Sequence, residues 1–203
     1  NAIPAAITLS SSVGTIQWQS SLTAVGGYSD LVGQTSATLP SGAISNTTTM
    51  YYQAVVTSGV CPSATVTATV NVNPTSVGGT ASIASGTATI CSSTTAPTIT
   101  LAGQVGTVIW QSSNTSGTGF VDIGTGASPT VSNTTTKYYR AKVTSGVCSV
   151  DYSNEVLVTV SPTSVAGTIT PVTQTICYNA IPAAITLSSS VGTIQWQSSL
   201  TAV

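Results

Sequence analysis

The chain has 203 residues, enough for one or two domains that each bury a core. Charged residues make up 3% of it, against roughly 25% in an average soluble protein, aromatics are 5%, and the net charge is −1 with no histidine. So little positive charge removes the electrostatic term behind most nucleic-acid binding, and no apolar run nears the ~20 residues of a membrane-spanning helix, so nucleic acid is not expected as a partner and no membrane span is expected in this segment.

Val, Ile and Thr dominate runs such as TVTATVNV at 65–72, a strand-like composition with a hydroxyl-rich, nearly neutral surface. Residues 1–25 are identical to residues 179–203, a period of 178. A weaker copy lies inside that period. GTIQWQSS around Trp18 recurs as GTVIWQSS around Trp110, and SNTTTMYYQAVVTSGVC recurs as SNTTTKYYRAKVTSGVC. PTSVGGT from Pro74 and PTSVAGT from Pro162, offset by 88, fix the phase. Three domains are expected: 1–74, lacking its first strand; 75–162, complete; and 163–203, the N-terminal part of a third that repeats 1–25. The native polypeptide is expected to be much longer.

In the middle domain about seven strands are expected, near 79–84, 97–102, 107–112, 120–123, 129–131, 137–144 and 152–160, separated by Gly, Pro, Ser and Asn. No segment has a helical period. On 137–144, Tyr139, Ala141 and Val143 share one face, expected inward, and Tyr138, Arg140 and Lys142 the other. The linkers, such as Val70-Asn71-Val72-Asn73-Pro74, are short, and proline stiffens them. All-β, tandem immunoglobulin-like sandwiches joined end to end into a rod are the expected fold, with Trp18, Trp110 and Trp196 as core anchors on equivalent strands and Tyr52 and Tyr139 at the tyrosine corner.

Cys91 and Cys177 share a TIC context, and Cys61 and Cys148 share SGVC, so each domain owns one of each. The repeat phase predicts one disulfide per domain, Cys91 with Cys148, with the partners of Cys61 and Cys177 outside the fragment. Such a bond would stabilise a domain by roughly 4 kcal/mol and implies an oxidising compartment. Free thiols or a metal site are the alternatives, but without histidine or a C-x-x-C pair no zinc shell is complete.

The acids are Asp30, Asp122, Asp151 and Glu155. Asp30 and Asp122 are repeat equivalents and so belong to different domains, expected as turn residues. No catalytic residue, cofactor or metal site is expected, and the chain is not expected to be an enzyme. Lys137, Arg140 and Lys142 cluster on one strand with Glu155 expected across the hairpin, while the first domain has Met50, Gln53 and Val55 there, which favours a solvated face. Tyr28 and Phe120 are the aromatics available to a carbohydrate-binding alternative.

The string G-T-[IV]-x-W-Q-S-S, then an aromatic-x-Asp-[LI] step at Tyr28 and Phe120, then T-T-x-Y-Y-x-A-x-V-x-S-G-V-C, resembles the immunoglobulin-like repeats of giant Bacteroidota cell-surface adhesins, the SprB-like gliding-motility adhesins exported by type 9 secretion. The resemblance implies an extracellular, cell-surface stalk or filament. Its partners would be neighbouring repeats of the same chain, lateral copies, or an unidentified surface or glycan ligand. A subunit of a laterally associating fibre is the further alternative. Because Cys91 precedes one strand and Cys148 ends another, the expected bridge staples one pole of the sandwich.

Overall fold

The structure is a computed structural model that describes residues 2–200. Asn1 and residues 201–203, the outer ends of the first and third expected domains, lie outside the described residues. By its contacts the chain divides into two compact units, Asn1–Thr75 with Gly146–Cys148, and Ser76–Ser145 with Ser149–Val203. The protein is all-β, and the described residues contain no α-helix, only a three-residue 3-10 turn at Ser41–Ala43.

The first unit contains β1 (Ile7–Thr8), β2 (Thr15–Ser21), β3 (Ser29–Asp30), β4 (Thr38–Leu39), β5 (Met50–Thr57) and β6 (Ala64–Val70). One antiparallel sheet runs β3-β2-β5-β6, and β1 pairs with β4. Period-2 alternation on β2 and β5 turns Trp18, Tyr52 and Ala54 inward, where they close a core with Leu39 and Ile44. Ile7, Leu9 and Leu31 pack against it.

The second unit contains β7 (Thr80–Ser85), β8 (Thr89–Cys91), β9 (Thr98–Ala102), β10 (Thr107–Ser113), β11 (Val121–Gly124), β12 (Lys137–Thr144), β13 (Asp151–Tyr152) and β14 (Val156–Ser161). It also holds β15 (Thr168–Thr170) and β16 (Thr186–Ser188), which pair with each other. The main sheet runs β11-β10-β12-β14-β8, with β13 on β12, and every pairing is antiparallel except β14 with β8. β7 and β9 form a ribbon whose Ala81 and Ile99 meet Trp110, Tyr139, Ala141, Val143 and Val158 of the main sheet in one core. Two β layers therefore enclose one apolar interior.

Gly14 and Gly106 open β2 and β10 at φ 128° and 127°, a left-handed conformation that favours glycine. A Cβ at either position would overlap the carbonyl oxygen of Thr57 or Thr144 on the neighbouring strand. The recurring G-T-[IV] step is thus a close backbone approach.

Three expectations need correcting. Residues 129–131 form no strand, although Val131 packs on the core. The run expected at 152–160 is two strands, β13 and β14, interrupted at 153–155 where the Ser153 hydroxyl accepts the Ala141 N–H. β8 went unexpected because three residues carry too little periodicity, and its parallel register with β14 is a non-local pairing.

Candidate functional site

The two copies of the corner are built alike. Trp18 and Trp110 are 2% and 0% exposed, and their indole N–H groups donate to the carbonyls of Ser36 and Gly126 at 2.9 and 3.1 Å. Tyr52 and Tyr139 are buried, and their hydroxyls accept the N–H of Ser45 and Ser132, both at 2.7 Å. The hydroxyls of those serines in turn accept the N–H of Thr48 and Thr135, a turn that SNTTT specifies twice. Burial pushes the Tyr139 phenol above its usual pKa, against the opposing hydrogen bond from Ser132.

Trp196 departs from this pattern. It is 52% exposed and lies on no strand. Neither buried cluster among the described residues includes it.

The richest polar cluster lies on the outer face of β10, β11 and β12. The Arg140 guanidinium lies 4.0 Å from the Phe120 ring centroid and 4.2 Å from that of Tyr152, a cation held between two aromatic faces. Its Nε donates to Gln111 Oε1 at 2.9 Å, and Gln111 Nε2 donates to Asp122 Oδ1 at 2.7 Å. Lys142 Nζ closes the chain on Asp122 Oδ2 at 3.0 Å. The Gln111 amide, and then Lys142, hold the Asp122 carboxyl below the usual carboxylate range.

Asp122 is therefore a cross-strand acceptor, not the turn residue expected, and Asp30 does the same by accepting Gln19 Nε2 at 2.8 Å. Glu155 does not face the basic strand as expected. It accepts the Ser116 hydroxyl and the Gly117 N–H, and Asp151 accepts the Gly78 N–H. Sequence reasoning missed Gln111 and Tyr152. The recurrence of Gln in both W-Q-S-S strings was the available signal for the first; nothing in the repeat marks Tyr152.

In the first unit the positions of Arg140 and Lys142 are Gln53 and Val55, so the network reduces to Gln19 and Asp30. That unit instead has a shallow groove lined by Ile7, Leu9, Trp18, Val66 and Ala68.

All four cysteines are free thiols, and the expected Cys91–Cys148 bridge is not formed. Register explains why. Cys91 is level with Ser161 at the end of β14, while β12 runs from Lys137 beside Val158 away to Thr144. At ~3.3 Å per residue, Thr144 is roughly 30 Å along the sheet from Cys91. Cys148 follows only four residues later, and a disulfide needs Cα atoms within about 7 Å. Among the described residues no three His, Cys, Asp or Glu side chains group as metal ligands, and no helix is long and apolar enough to cross a membrane.

The family described as Domain of unknown function (DUF8696) matches residues 1–74, 78–162 and 165–203. Among curated proteins none matches. A similar solved chain is a Ca2+-stabilized adhesin that helps an Antarctic bacterium reach out and bind ice. It is 13% identical with a TM-score of 0.32, over 78% of this chain and 43% of that one, a likeness too slight to carry fold or function across.

Proposed function

The chain belongs to the family described as Domain of unknown function (DUF8696), and from that premise we propose that it is a structural repeat segment of an extracellular adhesin or cell-surface filament, a non-catalytic stalk of immunoglobulin-like sandwiches. The observation that carries this reading is a contrast between what recurs and what does not. The tyrosine corner and the SNTTT turn recur with equivalent partners at nearly the same distances, and the core tryptophan recurs buried with its indole N–H on a backbone carbonyl, Ser36 in one copy and Gly126 in the other. The polar outer face changes from Gln53 and Val55 to Arg140 and Lys142. Tandem units that share their interior and differ in their surface suit a spacer, which works through length and stability, better than a module that repeats one binding site.

The sheet order β11-β10-β12-β14-β8, with β7 and β9 on the other layer, supports the immunoglobulin-like assignment, as do a buried Trp on a central strand and a Tyr whose hydroxyl returns to backbone seven residues upstream. The four acids support a non-catalytic role, since each accepts hydrogen bonds from side chains or backbone of its own unit. Attachment or gliding at a cell surface, through export by type 9 secretion, is the setting that the sequence resemblance suggests. A glycan-binding role has less support, because the ring of Phe120 is already stacked on Arg140.

The test is surface labelling. Antibodies raised against this chain should decorate intact cells of the source organism, and external protease should remove the label. Label that appears only after the cells are broken open contradicts the reading.

A further inference from the structure

The SGVC turn is seated on backbone that belongs to the junction between repeats. Cys148 Sγ lies 3.3 Å from the Pro74 carbonyl oxygen and 3.6 Å from that of Asn73. Gly146, at φ 53°, presses so closely on the Asn73 side chain that any Cβ would overlap it. The TIC cysteine addresses a junction too. Cys91 is registered with Ser161, and the next residue, Ser92, donates its N–H to the Ser161 carbonyl at 2.8 Å.

Asn73 and Ser161 are the same position of the repeat. Pro-Thr-Ser-Val follows each. The residue before each, Val72 or Val160, donates its N–H at 2.9 Å to the hydroxyl of Thr49 or Thr136, which are themselves equivalent. The TIC cysteine at the end of one repeat and the SGVC cysteine of the next therefore address equivalent junction carbonyls, those of Ser161 and Asn73, from successive repeats.

We propose that the TIC cysteine of each repeat forms a disulfide with the SGVC cysteine of the repeat that follows it, a proposal that rests on the tandem-repeat reading above. Cys91 would pair with the SGVC cysteine of the third repeat, and Cys148 with the TIC cysteine of the first; neither partner lies within the 203 residues. The geometry is permissive, because Cys91 is in register with one junction residue and Cys148 Sγ lies within 3.6 Å of the carbonyl oxygen of the equivalent one. Cys91 is exposed and Cys148 partly so, as access by an oxidant requires.

The oxidant would be a reactive disulfide, glutathione disulfide or a disulfide-bearing oxidoreductase. One cysteine thiolate attacks it and releases one thiol. The second cysteine thiolate then attacks the mixed disulfide and releases the other, so both electrons and both protons end on the oxidant. Cys177 comes before the SGVC cysteine of its own repeat, so the loop it closes with a fourth repeat starts inside the loop that Cys91 closes with the third. Overlapping loops would leave no junction free of a covalent bypass, which suits a chain held under tension.

The test uses the chain lengthened after Val203 by a copy of its own residues 26–74, which continues the 178-residue period and adds the third SGVC cysteine. It is oxidised with glutathione disulfide, digested without reduction and mapped by mass spectrometry. The expected product links Cys91 to the added cysteine with loss of two hydrogens, and Cys91→Ser frees the added thiol for maleimide labelling. A Cys91–Cys148 link, a link from Cys177 to the added cysteine, or thiols that all stay reactive overturns the proposal, as does an added thiol that remains blocked in Cys91→Ser. If that variant fails to fold, the map of the unsubstituted chain decides alone. Failure of this bond leaves the surface-labelling result untouched, and the bond can form in vitro wherever the native chain resides.

Discussion

β2 with β5, and β10 with β12, are copies of one antiparallel strand pair that differ chiefly on one side. Their registers match, Trp18 opposite Ala54 and Trp110 opposite Ala141. Their inward faces match as well, apart from Ile16 in the first and Val108 in the second. On the outward face, Gln53 and Val55 give way to an Arg140 clasped by two rings and a Lys142 paired with Asp122. The difference teaches that the interior alone sets this fold. A sheet whose outer face can lose its only ion pair among the described residues and keep its register is held by burial and backbone pairing, which is where the free energy lies.

The largest effect that can break this comparison is a cavity. Trp110→Ala removes a fully buried ring and is expected to cost about 3–5 kcal/mol, read by denaturant unfolding of the second unit. A loss below about 1 kcal/mol would mean that burial of this ring does not govern its contribution.

Next comes the corner. Tyr139→Phe and Tyr52→Phe each leave a backbone N–H without its acceptor, at an expected cost of about 1–2 kcal/mol in either unit. Burial raises the Tyr139 pKa above its unfolded value, so its contribution is whole below the ordinary phenol range and is lost as pH rises through the raised value. A base-induced loss of stability that Tyr139→Phe abolishes would confirm the sign.

How much of this was legible in the sequence follows from what each residue depends on. Trp18, Trp110, Tyr52 and Tyr139 stood out because period-2 alternation and the weaker internal copy both mark inward positions. β8 and the partners of Asp122 did not, because a three-residue parallel strand and a Gln–Asp–Lys chain are set by which strands become neighbours, and one-dimensional spacing does not record that. The cysteines were misread for the same reason. Repeat phase told which thiols are equivalent, but not that β12 runs away from the level of Cys91 before the chain reaches Cys148.

A smaller effect sharpens the comparison. Arg140→Gln installs the residue that the first unit has at this place. It removes two cation–π contacts at an expected total of about 1 kcal/mol, readable as a shift in denaturation midpoint with β structure unchanged by circular dichroism. Gln53→Arg in the first unit should bring no equal gain, since Thr65 and not an aromatic stands at the position of Tyr152.

The smallest effect is expected at Asp122. Its pKa is depressed by Gln111 and Lys142, so its stabilisation is present above the ordinary carboxylate range and lost as pH falls through the depressed value. Solvent screening keeps that loss slight, and added salt should reduce the Lys142 share further.

The most direct test of the stalk reading is to stretch the native polypeptide by single-molecule force spectroscopy in reducing buffer. A stalk of tandem units gives a regular sawtooth, one event per repeat of about 88 residues, with contour increments of roughly 250–300 Å. A featureless extension, or events with no common spacing, would contradict it.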